Sequence, residues 1–352
     1  MRKTILCLVA LMCFSAVAQA SEIMDWLDDH AAHVGKGEAV VADGAELLTL
    51  EEKQREMYPR PSPDGRYLLG ITWQGKDAWI SRRFSENGDP ANRVTFDERA
   101  LDSIHWRGDD KVYYLSGRAG GLGLWEKISD GEGMQQRLMK LSGIITQPIL
   151  LQDGSVIAVQ LKHLNRKEKH QRKPDDFNNW TFPGYSSEIV HIDTNGNVHG
   201  LAEGVNPSLS PDGQWIVFAM PAGRSVHLFR MHTDGSALIQ MTDARSVDVQ
   251  PSWTNDGKAI LFTSNRGNNN LRHPNKSGWD IWRIGADGRG LTQITFDKAK
   301  DGAAVTGKDG RIYFHSDRPI RAEDRAKHQV KSVRAHSFHI WVLKEESSLQ
   351  TK

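Results

Sequence analysis

Gln250-Pro251-Ser252-Trp253-Thr254-Asn255-Asp256-Gly257-Lys258-Ala259-Ile260-Leu261-Phe262-Thr263-Ser264-Asn265-Arg266 decides the fold. Asp-Gly tolerates positive φ and marks a hairpin turn, and the apolar run Ala259 to Phe262 behind it reads as a strand. Reading outward, Asp280-Ile281-Trp282-Arg283-Ile284 makes the next strand. A second turn, Asp287-Gly288, leads to a short strand ending at Ile294-Thr295. The unit therefore holds four short antiparallel strands.

The same turn recurs at Asp64-Gly65, Asp109-Asp110, Asp153-Gly154, Asp212-Gly213 and Asp309-Gly310, each ahead of an apolar alternating run. Six copies at a period near fifty predict an all-β chain, a six-bladed β-propeller, because one four-stranded sheet cannot bury both of its faces alone. The last copy lacks a convincing fourth strand after Leu343. Ala42-Asp43-Gly44-Ala45-Glu46-Leu47-Leu48-Thr49 matches Ala286 to Gln293 and stands ahead of the first copy, so the N-terminal strand is expected to close the last blade. Such a clasp also removes free sheet edges.

The 352 residues carry a net charge of +1, with 38% hydrophobic and 25% charged residues. That balance argues against nucleic-acid binding through bulk positive charge. Arg2 and Lys3 precede an apolar run from Ile5 to Val17 and the small residues Ala18-Gln19-Ala20, which reads as a signal peptide over 1–20 cleaved after Ala20. Its apolar run is too short for a permanent membrane span, and Cys7 and Cys13 both lie within it. The exported chain would thus lack thiols, as suits a periplasmic protein. Ile23, Trp26, Leu27, Ala31 and Val34 suggest a short amphipathic helix in a segment 21–40. The propeller is expected over 41–346, with a tail at 347–352.

Asn206-Pro207-Ser208-Leu209-Ser210-Pro211-Asp212-Gly213, the quoted copy at Gln250, and Tyr58-Pro59-Arg60-Pro61-Ser62-Pro63-Asp64-Gly65 resemble the repeat of the TolB-like propeller family, over roughly residues 40 to 345. The resemblance implies a periplasmic six-bladed propeller. TolB itself places such a propeller behind an N-terminal α/β domain and binds the lipoprotein Pal in envelope maintenance. About twenty residues between Ser21 and the clasp strand are too few for that domain, so membership in the Tol system proper does not follow.

Two groups of residues are candidate ligand contacts. The residue before each repeat Pro, or its equivalent, should point toward the axis: Tyr58, Ser103, Gln147, Asn206, Gln250 and Ala303, with Arg60, His105 and Asp301 close by. The second group lies in three long connections, roughly 162 to 185, 265 to 278 and 317 to 337, all on the face opposite the Asp-Gly hairpins. These loops hold fifteen cations against six carboxylates, among them Arg166, Lys169, Arg172, Arg266, Arg272, Arg318 and Arg321. Such a face would attract an anionic partner. Phe177, Trp180, Phe182 and Tyr185 stand among the charges, where a purely solvated loop seldom keeps aromatics.

No Gly-x-Ser-x-Gly elbow or phosphate loop occurs in the sequence, and no cofactor is expected. His328, His336 and His339 are weak metal candidates, since a three-residue step on extended chain puts His336 and His339 on opposite sides. The expectation is a monomeric, non-catalytic periplasmic scaffold that holds an envelope protein or an anionic glycan on its long-loop face, without membrane insertion. The alternative is a metal-dependent carbohydrate lyase or hydrolase, similar to the propeller oligogalacturonate lyases, with His105 or the three histidines near the channel.

Overall fold

The computed structural model describes residues 43–95, 104–164, 176–267, 278–334 and 336–344. The expected signal peptide, the helix expected in segment 21–40, and the tail fall outside the described residues. Six four-stranded antiparallel sheets form. The first contains β2 (Gln54–Pro61), β3 (Tyr67–Gln74), β4 (Asp77–Phe84) and β5 (Pro90–Arg93). The second contains β6 (His105–Arg107), β7 (Lys111–Ser116), β8 (Gly123–Ile128) and β9 (Gln136–Lys140). The third is built from β10 (Ile144–Leu150), β11 (Val156–His163), β12 (Tyr185–Ile192) and β13 (Val198–Glu203). Then come β14 (Val205–Leu209), β15 (Trp215–Ala222), β16 (Ser225–His232) and β17 (Ile239–Gln240), followed by β18 (Asp248–Trp253), β19 (Ala259–Ser264), β20 (Asp280–Gly285) and β21 (Thr292–Gln293). The sixth sheet joins β22 (Asp301–Thr306), β23 (Ile312–Ser316) and β24 (His339–Leu343) to β1 (Glu46–Leu47). No helix among the described residues is long and apolar enough to cross a membrane.

The expected clasp is present: Leu47 lies opposite Trp341 and Glu46 opposite Val342. Successive blades bury both faces of each sheet, with Phe218, Phe262 and Phe314 fully enclosed at equivalent positions. First strands of neighbouring blades touch in succession, β10 with β14, β14 with β18, β18 with β22 and β22 with β2, so these strands line the axis. At the Asp-Gly turns the aspartate accepts the N–H two residues on, as Asp212 does from Gln214 and Asp256 from Lys258. The following Gly213 and Gly257 take φ of 72° and 69°, which side chains resist.

The last connection contains one element that the repeat pattern does not announce, the helix α1 (Ala322–Lys327). Its first turn carries Glu323 and Asp324 and its last turn Arg325 and Lys327, the polarity that a helix dipole favours.

Blades five and six share an ion-pair device. The Ser-Asn-Arg and Ser-Asp-Arg steps after β19 and β23 turn an arginine back onto the aspartate that opens the blade. Arg266 Nη2 lies 2.5 Å from Asp248 Oδ2, and Arg318 Nη2 lies 2.6 Å from Asp301 Oδ2. Each guanidinium also covers aromatic rings, Arg266 those of Phe262 and Trp282, Arg318 those of Phe314 and Trp341. Arg318 further bonds Asp297 at 2.9 Å and, through both Nη atoms, Asp43 just ahead of β1. A buried charge left alone is expensive, so this pairing pins the clasp. Replacing Arg318 by Met should strand three carboxylates and cost about 3 kcal/mol or more. Chemical unfolding measures the loss, and hydrogen exchange at Glu46 and Leu47 should accelerate more than in the middle of β15; uniform acceleration would contradict a local pin.

The same cluster sets a pH response. Burial, then the charges of Asp301 and Asp297, push the Asp280 carboxyl up to about 8, so it stays protonated in the folded protein where an ordinary carboxyl ionises. The folded state then binds the extra proton. This contribution to stability is complete below about pH 4 and is lost as the pH rises toward about 8. Asp280→Asn should therefore flatten the fall of the thermal midpoint across that window; parallel profiles for variant and wild type would refute the assignment.

Candidate functional site

The residues before the repeat prolines do face the axis, and they share an unusual backbone. Tyr58, Gln147, Asn206, Gln250 and Ala303 have φ of 59°, 51°, 53°, 50° and 51°, each within a β-bulge of the innermost strand. Left-handed φ costs a non-glycine residue about 1–2 kcal/mol. Hydrogen bonds between blades offset that cost. Asn206 donates its backbone N–H to Gln147 Oε1 (2.6 Å), Gln250 to Asn206 Oδ1 (3.3 Å), and Ala303 to Gln250 Oε1 (2.9 Å). Ala303 has no acceptor to continue the series, and His315 of β23 takes over, accepting from the Tyr58 N–H at Nδ1 (3.2 Å).

The amide nitrogens of the same side chains point at a chain segment that fills the axis from the long-loop side. Gln147 Nε2 donates to the Asn179 carbonyl (2.8 Å), while Asn206 Nδ2 and Gln250 Nε2 converge on Asn179 Oδ1 (3.2 and 3.0 Å). Gln250 Nε2 also reaches the Phe177 carbonyl, and the Tyr58 hydroxyl donates to that of Asp176. Phe177 is fully buried; it stacks on Phe338 and meets Trp180, Trp279 and His315 edge-on. Residues 176–180 thus plug the channel on the long-loop side.

On the other side lies a cavity of about 960 Å³ that runs from the amide ring to the Asp-Gly hairpins. Its wall includes Arg60, His105, Trp106, Tyr113, Ser208, Ser252 and Trp253. The two indoles brace neighbouring blades, Trp106 donating to the Arg60 carbonyl and Trp253 to that of Ser208. Two described lining residues are cationic, Arg60 and Lys308, and none is Asp or Glu. Burial, then the charge of Arg60, lowers His105 and His315 to about 3, which keeps both imidazoles neutral. Burial raises the Tyr113 hydroxyl to about 12; its oxygen accepts the Leu150 N–H.

Among the axial candidates, Tyr58, Arg60, His105, Gln147, Asn206 and Gln250 line this one space. Asp301 does not: it is buried at the other end of its strand against Arg318. Ser103, Arg166, Lys169, Arg172 and Arg272 lie outside the described residues. Trp180 is buried in the plug, and Tyr185 at the start of β12 packs at a tilt against His163. Arg266 is held by Asp248, and Arg321 by Asp324 at 2.8 Å. The cavity therefore opens on the hairpin face, opposite to the face that the loop charges suggest.

His328, His336 and His339 do not form a convergent group of three possible ligands among the described residues. His336 is exposed, His328 half-buried, and His339 buried with both ring nitrogens lacking a hydrogen-bond partner. Among the described residues the one convergent group of three possible metal-ligating side chains is Asp43, Asp297 and Asp301, where Arg318 already sits. Tyr113 and His315 were not evident from the repeat pattern, because they come from second strands and not from the position before the repeat proline. The plug carried a visible signal, Phe177-Asn178-Asn179-Trp180 within a basic stretch.

Six blades, the bulged inner strand and the strand clasp define a six-bladed TolB-like propeller fold. No family model matches the chain. It is 22% identical over 163 residues to the Tol-Pal system protein TolB of Francisella tularensis, covering 45% of this chain and 34% of that one. The first curated relatives are spanned over between 10% and 64% of their own lengths. Among solved structures, a protein assigned as TolB from Agrobacterium tumefaciens superposes with a TM-score of 0.51 at 20% identity, over 68% of this chain and 80% of that one. Oligogalacturonate lyase from Vibrio parahaemolyticus gives 0.52 at 11% identity, over 89% and 100%. At these identities the likeness is one of fold.

Gly302 tests the packing of the plug. A Cβ there would stand 2.7 Å from His315 Nε2 and 2.8 Å from both Gln250 Oε1 and a Phe177 ring carbon. Gly302→Ala should cost about 1–3 kcal/mol in urea unfolding. Gly117→Ala, with nothing within 4 Å of its Cβ, serves as the control and should change little.

Proposed function

We propose that this chain is an exported binding propeller of the cell envelope whose working site is the axial cavity on the hairpin face. The observation that carries this reading is the asymmetry of the channel. Residues 176–180 stop it on the long-loop side, while a cavity of about 960 Å³, large enough for several residues or sugar rings, remains on the hairpin side. The segment at 1–20, read as an export signal, and the relatedness to TolB support the periplasm as its compartment.

The described part of the long-loop face offers less to a partner than its charge count suggests. Arg266 and Arg318 are committed to buried carboxylates, while Arg321 pairs with Asp324 and stays exposed. Lys327, Lys331 and Arg334 are exposed there. A metal-dependent lyase draws its support from the likeness of fold, without a convergent set among His328, His336 and His339.

Capture from envelope extracts compares wild type with Ser208→Phe, which fills the cavity, and with a variant carrying Lys327, Lys331 and Arg334 all changed to Gln. A partner of the cavity should be lost with Ser208→Phe and kept by the loop variant. Loss from the loop variant and retention by Ser208→Phe would move the working surface to the opposite face and reject the proposal.

A further inference from the structure

We infer that Arg60 is the anchor for a carboxylate group of the ligand, with the Tyr113 hydroxyl and the His105 ring beside it. This rests on the cavity being the working site. Among the described residues no carboxylate pairs with Arg60; its guanidinium donates to the carbonyl of the adjacent Pro59, at 3.2 Å. Arg83, Arg266 and Arg318 each hold at least one buried acid, and the half-buried Arg82 and Arg230 lie over the rings of Tyr67 and Trp215. A guanidinium has five N–H donors in a planar fork that matches a carboxylate in two parallel bonds. A guanidinium held partly out of water without an anion gives up stability that an arriving carboxylate would restore.

The surroundings fit that purpose. The groups whose fields reach Arg60 are Tyr58, Tyr113, His105 and His315, all uncharged near neutral pH. None competes for the guanidinium as an anion would. Burial lowers the affinity of Arg60 itself for its proton. One guanidinium at depth balances one negative charge; Lys308 is exposed at the mouth, where water screens it. A monoanion is therefore matched better than a phosphate dianion. Trp106, Trp253, Pro207 and Pro251 supply apolar wall for the rest of the ligand.

A peptide C-terminus and a uronic acid would both present this group, and calorimetric titration of the full exported chain separates them. The probes are acetyl-alanyl-alanine and its amide, galacturonic acid and its methyl ester, and methyl phosphate. At least one carboxylate probe should bind, about tenfold or more tighter than its neutral counterpart and than methyl phosphate, and Arg60→Met should abolish that margin. Without ligand, Arg60→Met should leave the thermal midpoint unchanged or raise it. A marked fall would make Arg60 a structural residue and overturn the inference. So would binding of neither carboxylate, tighter binding of methyl phosphate, or equal binding of acid and neutral forms. Ser208→Phe tells the two failures apart. If neutral probes bind as well as acids and Ser208→Phe blocks both, the cavity stands and the carboxylate falls; if binding survives both Ser208→Phe and Arg60→Met, the cavity reading falls with it.

Discussion

A relay of side-chain amides around the axis is the constraint on which this propeller depends. An amide has an acceptor and a donor on one carbon. At Gln147, Asn206 and Gln250 the oxygen is spent tangentially, on the strained N–H of the next blade or a near neighbour, and the nitrogen axially, on residues 177–179. A hydroxyl is too short and a carboxylate lacks the donor, so neither could serve both directions. Each bond adds only about 1 kcal/mol net, yet left unmade in this buried place each would cost more. The relay thus fixes the bulges, the bulges aim the side chains, and those side chains seat the plug.

The arginines show how position alone assigns a role to one residue type. Arg318 and Arg266 stand at the long-loop end of the axis, enclosed by aspartates and aromatic rings, and work as ties between strands and blades. Arg60 stands beyond the bulge of the first blade, among neutral rings on a cavity wall. The former satisfy one another in the folded chain. The latter leaves a local excess of positive charge that folding does not consume.

Much of the fold was legible in the sequence because repetition multiplies a weak local signal. One Asp-Gly turn means little, but five and the near variant Asp109-Asp110, each before apolar alternation, with a spare strand at Glu46 to Leu48, admit few arrangements. The inward aim of Tyr58, Gln147, Asn206 and Gln250 followed from the same register. What was not legible depends on contacts across the ring. Nothing in the stretch around Arg266 or Arg318 says that each guanidinium folds back some eighteen residues onto an aspartate, so both counted as free loop charge. Likewise Phe177 and Trp180 read as loop aromatics for a ligand rather than as a plug, since the channel they stop is created by other blades. The short helix Ala322–Lys327 escaped because six residues give too little periodicity to detect.

The fold and the site are therefore one claim: a channel sealed from one side by hydrogen bonds among five left-handed residues and the chain's own segment, and left open on the other. Residue-resolved hydrogen exchange of Asn206, Gln250 and Ala303 is the most direct measurement. If the relay holds the ring, these three backbone amides exchange only through global unfolding, with protection equal to that of Val217 and Leu261 in the strand cores. Exchange at the rate of the hairpin turns, with Val217 and Leu261 still protected, would show that the relay is not formed and would contradict the account.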